Sequence, residues 1–321
     1  MRILLAVLLG LIALSGTAPA SAQAFPAKPI RLVIPFPPGG GADAIARPLG
    51  PKLADSLGQQ VVIDNRPGAN ANIGAEIVAK AAPDGHTLLL ANSSLTISAS
   101  LYRKLPFDPL NDFTAISLVA ITPSALVSHP SVPARTVKEL VALARARPGK
   151  LSYSSGGVGT TMHLGAELLR SMANLSMVHV PYKGGGPAIV DLLGGHVEFA
   201  FANPVAVLAY IRAGKLNVLA VTSKKRLAIL PDVPTFEESG FPGLISNTFF
   251  GVLGPAGMPR EVVMRINAAI VAAVAASDVR ERLISLGYEL EPNTPEQFAV
   301  FLREDAAEWA RLVKLSGASA D

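Results

Sequence analysis

From residue 30 onward the chain repeats one local pattern: a short apolar run, a turn rich in glycine, and a stretch with apolar residues at helical spacing. The first copy places the β-branched run Ile30–Ile34 before three consecutive glycines at 39–41 and a helical pattern over 42–57. The pattern recurs at 61–81 and again from 125 to 221. Because strands and helices that alternate at this spacing form βαβ units, the sequence predicts an α/β protein with mainly parallel sheets.

The order of the predicted elements divides the chain into two α/β lobes. With 321 residues, the chain is long enough for about two ordinary domains. We predict lobe 1 from residues 25–124 plus 247–321 and lobe 2 from residues 125–246. Two crossover segments, near 121–125 and 246–250, join the lobes.

Helical patterns dominate the last part of the chain, at 261–276, 279–286 and 295–314. Three helices with little strand between them do not easily make a domain of their own. We therefore expect all three to return to lobe 1 and cover its sheet.

The first 24 residues have the features of a secretory signal peptide. Arg2 precedes an apolar run at 3–14, and the Ala-Gln-Ala sequence at 22–24 fits an A-x-A cleavage site. The apolar run is much shorter than the roughly 20 residues that a membrane-spanning helix needs, although a retained anchor is the alternative. We expect residues 1–24 to be removed and the rest to be exported to the periplasm as a monomer that is not embedded in the membrane.

The composition excludes several classes of function. The chain has no cysteine, which removes disulfides, thiolate metal sites, iron–sulfur clusters, a cysteine nucleophile and the cysteine of a lipid anchor. Only 16% of the residues are charged and the net charge is +4, which does not predict a nucleic-acid partner. The chain contains neither a G-x-S-x-G elbow nor a phosphate-binding G-x-x-x-x-G-K-[ST] loop. We expect a binding protein and not an enzyme, with no catalytic residue, metal or cofactor.

Three glycine-rich turns, each standing before a predicted helix, are candidate anion sites. We call residues 36–42 the first glycine turn, 155–161 the second and 181–187 the third. Glycine lets a ligand approach the main chain closely, and the first turn of a helix presents unpaired N–H groups with about half an elementary positive charge. The alternative for each is a tight turn that only packs.

Side chains beside these turns each have a second, purely structural interpretation. Asp43 and Arg47 are four residues apart, which is typical of a local surface pair. His163 and Glu167 share one helix face but lack a third metal ligand, which favours a packed histidine. Lys183 fits either an anion contact or a solvated surface lysine. The second glycine turn also lacks the third glycine of a dinucleotide-binding fingerprint, so a Rossmann cofactor is disfavoured.

Beyond these local patterns, the chain closely resembles the Bug-type (TctC-like) extracytoplasmic solute receptors, the substrate-binding components of tripartite tricarboxylate transporters. The motifs that carry the resemblance lie at 25–33, 35–47, 65–69, 83–87, 156–163, 179–184, 191–195, 213–215, 230–235 and 254–257. The resemblance implies a type II periplasmic-binding-protein fold, in which two Rossmann-like α/β lobes joined by two crossover segments enclose the ligand cleft. It also implies that the lobes close on a small organic carboxylate by a hinge motion and deliver it to membrane permease subunits.

The resemblance implies that main-chain amides and ordered water hold the ligand carboxylates at the first and second glycine turns. We expect N–H groups from residues 39–41 and 156–159 to serve this role, together with neutral polar side chains. The predicted ligand-binding residues are Phe36, Pro38, Gly39, Gly40, Gly41, Ala42, Asn92, Ser93, Ser155, Gly156, Gly157, Val158, Gly159, Thr160, Thr161, His163, Tyr182, Lys183 and Asn203.

Two departures from the family pattern bear on the ligand. Ala202 precedes Asn203 at a place where the family often carries an acid, and in amino-acid-binding members such an acid can face the ligand ammonium. Its loss argues against an amino-acid ligand. Phe249 stands where the family commonly has tryptophan, which changes either the floor of the cleft or only the packing behind it.

Two other functions stay open at this point. A receptor that has no permease could present its ligand to a membrane sensor. An exported hydrolase or isomerase could use His163 with Glu167 or Asp191.

Overall fold

The computed structural model describes residues 25–319, and the predicted signal peptide at 1–24 lies outside them. The described chain forms one sheet of six strands and one of five. We keep the predicted division as a proposal and call residues 25–124 and 247–319 lobe 1 and residues 125–246 lobe 2. The strands are β1 (Ile30–Ile34), β2 (Val61–Asn65), β3 (Thr87–Asn92), β4 (Phe113–Pro123), β5 (Ala125–Ser128), β6 (Ser152–Ser155), β7 (Val178–Pro181), β8 (Phe199–Ala202), β9 (Asn217–Val221), β10 (Asn247–Pro255) and β11 (Glu289–Leu290).

Helices follow most of these strands. They are α1 (Gly41–Leu57), α2 (Asn72–Ala79), α3 (Ser93–Leu101), α4 (Val137–Ala146), α5 (Thr161–Ala173), α6 (Gly185–Leu193), α7 (Pro204–Arg212), α8 (Arg260–Ala275), α9 (Ser277–Ser285) and α10 (Pro295–Ser316). The strand order is β11-β4-β10-β3-β1-β2 in lobe 1 and β7-β6-β8-β5-β9 in lobe 2.

Both sheets are mixed, so the expectation of mainly parallel sheets is wrong. β1 pairs in parallel with β2 and β3, and β6 pairs in parallel with β7 and β8. β10 is antiparallel to β3 and β4, and β5 is antiparallel to β8 and β9. The reason is the crossing between lobes: β4 runs toward lobe 2 and β10 returns from it, so the two neighbours must point in opposite directions.

The carboxyl ends of five strands lead into helices at the same edge of the two sheets. β1, β3, β6, β7 and β8 are followed by α1, α3, α5, α6 and α7, respectively. In open α/β sheets, ligands bind outside the carboxyl ends of the strands. This topology therefore places five helix N-termini where a ligand cleft is expected.

Burial of one face of α1 fixes the first of these N-termini. Ile45, Leu49 and Leu53 recur at helical spacing and are buried in the core formed with β1 and β3. Each contributes about 1.5–3 kcal/mol relative to an exposed side chain, before the entropy cost of ordering it. The helix ends at Leu57 because Gly58 is left-handed, with φ 74°, and donates its N–H to the carbonyl of Ala54.

The C-terminal helix α10 contacts both lobes, which the sequence did not predict. Near its end, Trp309, Leu312 and Val313 are buried in the same core as residues of α4, α5 and β8 in lobe 2. Arg170 Nη2 on α5 donates to the carbonyl of Ser316 at 3.1 Å. Of the three late helices that were expected to cover lobe 1, α10 therefore spans the two lobes.

Within residues 25–319, no single helix has both the length and the apolar composition to cross a membrane. The bent pair α8 and α9, whose axes differ by 69°, meets that criterion only when the two are taken together. One face of α8 is buried in the core of lobe 1.

Candidate functional site

A cavity of about 370 Å³ lies between the lobes, at the edge where the five helices begin. We call it the main cavity. Its volume is in the range of cavities that hold small ligands. Predicted residues that line it are Phe36, Pro38, Gly39, Gly40, Gly41, Ala42, Asn92, Gly156, Thr160, Thr161 and Asn203.

The residues that cap five helices all line this cavity. They are Gly40 for α1, Asn92 for α3, Thr160 for α5, Gly184 for α6 and Asn203 for α7. The first four N–H groups of an α-helix have no partner within the helix, and each N-terminus carries about half an elementary positive charge. Five such termini around one cavity make it strongly favourable for an anion.

The side chains around the main cavity carry no charge. Among the described residues that line it, none is Asp, Glu, Lys, Arg or His. Rings and aliphatic groups supply the apolar part of the wall, including Phe36, Met162, Ile189 and Phe250. The arrangement suits a ligand with an anionic group and an apolar body, held without a cationic side chain.

In the first glycine turn, one predicted donor is already used. The N–H of Gly39 donates to Asp43 Oδ2 at 3.0 Å, and Arg47 Nε donates to the same oxygen at 2.7 Å. Asp43 is buried, so it is a support for the turn and not the surface carboxylate that the sequence suggested. Burial raises the pKa of Asp43, but the hydrogen bonds from Arg47 and Gly39 outweigh this effect and hold the pKa below its usual value. The first turn therefore presents its N–H groups from the start of α1.

The second glycine turn is held from behind by buried side chains. Ser155 Oγ accepts the N–H of Gly157 at 3.2 Å, and His163 Nδ1 accepts the N–H of Gly159 at 3.2 Å. Ser155 Oγ also lies 2.6 Å from Nε2 of His179, whose ring stacks on His163 with 4.2 Å between centroids. Because Nδ1 of His163 accepts a hydrogen bond, the imidazole is neutral here, and burial lowers its pKa below the ordinary value.

Eight predicted ligand-binding residues do not line the main cavity, and four of these are buried. Ser155 and Gly159 are buried within the second glycine turn, and His163 is buried behind it. Ser93 is fully buried, and its hydroxyl donates to the carbonyl of Asn247 and accepts the N–H of Phe249. These four residues shape the site without facing it.

The pairs considered for an exported hydrolase are engaged elsewhere. Glu167 accepts a hydrogen bond from Tyr153 at 2.5 Å and forms an ion pair with Arg170 at 2.6 Å. Asp191 accepts from the hydroxyl of Tyr182. His163, Glu167 and Asp191 are absent from the wall of the main cavity. Nothing in this geometry favours a catalytic pair there.

Asn203 faces the main cavity from lobe 2. Its Oδ1 accepts the N–H of Val205 at 3.0 Å and so caps α7. A Cβ built on Gly41 would lie 2.9 Å from Nδ2 of Asn203, so this amide reaches across the cleft to the start of α1. Its neighbour Ala202 is fully buried in the core of lobe 2.

The substitution at Phe249 affects the packing behind the cleft. Its ring is buried and meets Phe298 and Phe301 edge to face, at 5.9 Å and 5.4 Å between centroids. The next residue, Phe250, forms part of the cavity wall.

Sequence reasoning missed about half of the wall. The missed residues are Pro37, Ser94, Ser124, Met162, Gly184, Gly185, Gly186, Pro187, Ile189, Ala206, Thr248 and Phe250. The third glycine turn was a visible signal for residues 184–187, whereas Thr248 and Phe250 lie on β10 in a segment without a motif.

The remaining predicted residues lie in a neighbouring cavity. Gly157, Val158, Tyr182 and Lys183 line a second space of about 580 Å³ between the lobes, which we call the second cavity. Within residues 25–319, no group of three or more His, Cys, Asp or Glu side chains is placed to hold a metal ion.

Comparison with known proteins decides the family. The family model described as "Tripartite tricarboxylate transporter family receptor" (TctC) matches residues 45–318. The chain belongs to the TctC family. Its receptors are periplasmic solute-binding proteins, and the predicted Bug-type, TctC-like resemblance is confirmed.

Individual relatives agree along nearly the whole chain. The chain is 39% identical to Protein BugT of Bordetella pertussis over 318 residues, which cover 98% of each protein. It is similar to the solved structure of Rpa4515 from R. palustris with adipate, with a TM-score of 0.88 and 33% identity over 92% of this chain and 99% of that one. The structure of MatC from Rhodopseudomonas palustris with bound malate matches with a TM-score of 0.86 and 31% identity over 90% of this chain and 100% of that one. The predicted two-lobe periplasmic-binding-protein fold is thereby confirmed.

Proposed function

We propose that this TctC-family protein captures a small organic carboxylate in the main cavity, closes its lobes over it and delivers it to the permease of a tripartite tricarboxylate transporter. The observation that carries the proposal is the convergence of five helix N-termini on one cavity without a charged side chain. Each terminus stabilises an anion by about 0.3–1 kcal/mol, and more where the geometry is partly buried. Together they supply about 2–5 kcal/mol of preference for a negative charge.

The uncharged wall of the main cavity also favours a ligand that has no ammonium group. An amino acid brings a positive charge into the cavity, and no carboxylate side chain among the described lining residues stands ready to pair with it. An unpaired charge in a closed cavity is costly. We therefore assign the ligand to the carboxylic acids that lack an amino group. The relatives solved with adipate and malate carry ligands of this kind.

The proposed site consists of the main-chain amides at the starts of α1, α5 and α6 and the neutral side chains of Asn92, Thr160, Thr161 and Asn203. Neutral contacts suit a carrier, because the ligand must leave again at the permease. The proposal includes export to the periplasm without a lipid anchor, action as a monomer, and no chemical change of the ligand.

A thermal-shift screen of the exported chain tests the proposal. The panel holds mono-, di- and tricarboxylates, aromatic acids, amino acids and sugars. A ligand at 100 times its dissociation constant adds about 2.7 kcal/mol of stability, which raises the unfolding midpoint by several degrees. We expect shifts from carboxylates alone, and a ligand recovered unchanged and in equal amount after denaturation. Shifts confined to sugars or cations, no shift with any acid, or a chemically altered ligand would overturn the proposal.

A further inference from the structure

The second cavity is built from both lobes and lies next to the main cavity. Lobe 1 contributes the turn at 67–71, and lobe 2 contributes Gly157, Val158, Tyr182 and Lys183. No contact in the proposed function uses these residues. Gly157 and Val158 nevertheless belong to the second glycine turn, and Tyr182 and Lys183 to the third, and both turns also border the main cavity.

Only a thin partition separates the two cavities. Phe36, Pro37, Gly156 and Gly184 line both of them. A Cβ built on Gly184 would lie 3.3 Å from Cγ of Pro37, so these residues of opposite lobes approach each other closely. Because the two residues belong to different lobes, the gap between them widens in the lobe opening that the proposed function requires. In the open cleft the two cavities therefore form one continuous space, and a ligand that spans both keeps Pro37 and Gly184 apart when the lobes close.

The two cavities differ in charge. The main cavity has no charged lining side chain, whereas Lys183 lines the second cavity. Lys183 is exposed, and within residues 25–319 its ammonium group forms no hydrogen bond or ion pair. The neighbouring hydroxyl of Tyr182, by contrast, is taken by Asp191. Lys183 is thus a cation available to a group in the second cavity.

The lobe 1 side of the second cavity holds a strained turn. Ala69, Asn70 and Ala71 have φ values of 46°, 51° and 76°. Left-handed backbone costs an L-residue roughly 1–2 kcal/mol, and such strain concentrates at ligand clamps and switch regions. The turn is therefore a feature that the surrounding structure maintains at this place.

We propose that the second cavity takes the distal carboxylate of a long α,ω-dicarboxylate whose proximal carboxylate binds at the helix N-termini of the main cavity. The inference rests on the proposed function and narrows its ligand class. Pro35, Phe36 and Pro37 form an apolar wall along which a methylene chain can lie. Lys183 then pairs with the far carboxylate. Short dicarboxylates fit within the main cavity alone and do not reach Lys183.

Calorimetric titration of the exported chain with succinate, adipate, suberate and sebacate tests this proposal. The variant Lys183→Met keeps the apolar stem and removes the charge. We expect it to lower the affinity for suberate and sebacate by about three- to fivefold, which is the contribution of a solvent-accessible ion pair. The affinity for succinate should not change. Lys215→Met, an exposed lysine in the same lobe that lines neither cavity, is the matched control and changes no affinity.

A second variant tests the space and not the charge. Val158 lines the second cavity but not the main one, so Val158→Phe fills only the second. We expect suberate to bind more weakly to this variant while succinate binding, which also reports on folding, is retained. Octanoate, which lacks the distal carboxylate, should bind Lys183→Met as well as it binds wild type.

The outcomes separate the two proposals. If each variant changes the affinities for succinate and suberate by the same factor, or changes neither affinity, the second cavity is not part of the ligand site. The proposal of a carboxylate receptor is unaffected by that result. If no carboxylate binds the wild type, the proposed function fails and this inference fails with it.

Discussion

Asn203→Asp places a negative charge in the main cavity with little change of shape. Asp caps a helix as well as Asn does, so the carboxylate can keep the hydrogen bond from Val205 and preserve α7. The second carboxylate oxygen then takes the place of Nδ2, which lies 2.9 Å from a Cβ built on Gly41. The new charge therefore lies beside the N–H groups at the start of α1, where we place the ligand carboxylate.

The size of the effect follows from Coulomb's law. We take a ligand oxygen hydrogen-bonded at the start of α1 to lie about 5 Å from the new charge, as a hydrogen-bond length of about 3 Å allows. Two like charges at that distance repel by about 3 kcal/mol at an effective dielectric constant of about 20, which corresponds to a loss of about 200-fold in affinity. The introduced carboxylate also interacts with the N-terminus of α1 itself, which lowers ligand affinity further.

Isothermal titration of the wild type and the variant with adipate measures this loss. Asn203→Ser is the matched control, because serine retains a neutral capping oxygen. Without ligand, we expect Asn203→Ser to unfold within about 2 °C of the wild type, since the cap is kept, and Asn203→Asp to unfold no lower than the wild type, since the helix N-termini favour its charge. An affinity of Asn203→Asp within about threefold of the wild type would refute the placement of the anion between α1 and Asn203.

Two further perturbations test other parts of the account. Gly41→Ala adds a Cβ that meets Asn203 of the opposite lobe at 2.9 Å, so we expect closure to be hindered and adipate affinity to fall about tenfold by calorimetry; unchanged affinity would contradict it. Burial raises the pKa of Asp305 to about 7, against a hydrogen bond from Thr96 at 2.5 Å that lowers it. The folded state therefore keeps a proton that the unfolded state releases between about pH 4 and 7, and the free energy of unfolding from this group falls as pH rises through that window. In urea unfolding, Asp305→Asn should be less sensitive to pH there and more stable than wild type at pH 8; equal pH profiles would contradict this.

The sequence predicted the features of the site that depend on local chain chemistry. Glycine and polar residues between an apolar strand and a helix predict a turn and a capped N-terminus wherever they occur. Gly40, Thr160 and Asn203 follow that rule, and all three line the main cavity. That these termini meet at one edge of the two sheets is a finding of the structure.

Side-chain direction and long-range packing could not be read from the sequence in the same way. Ser155 lies in the second glycine turn and His163 just after it, but both side chains are buried and contact His179 instead of facing the main cavity. Phe250 reaches the cavity on β10, which lies more than a hundred residues after β3 and β4 in the sequence. Only the register of β10 against β3 and β4 brings it there.

Helix α3 shows a second limit. Its sequence, SSLTISASL, has no amphipathic period, and in the structure the polar Thr96 and Ser98 are as fully buried as the apolar Ile97. The helix forms where Asn92 caps its first turn and where α10 packs along it. A pattern that depends on one buried face therefore cannot reveal it.

The most direct test of the central claim compares two ligands of equal length, one with charged and one with neutral end groups. Adipate and its neutral diamide have the same chain and similar shape, and both can be titrated into the exported protein by calorimetry. If five helix N-termini and main-chain amides hold an anion, adipate should bind about 100-fold more tightly than the diamide, as about 2.7 kcal/mol of dipole stabilisation requires. Equal affinities, or tighter binding of the diamide, would contradict the account.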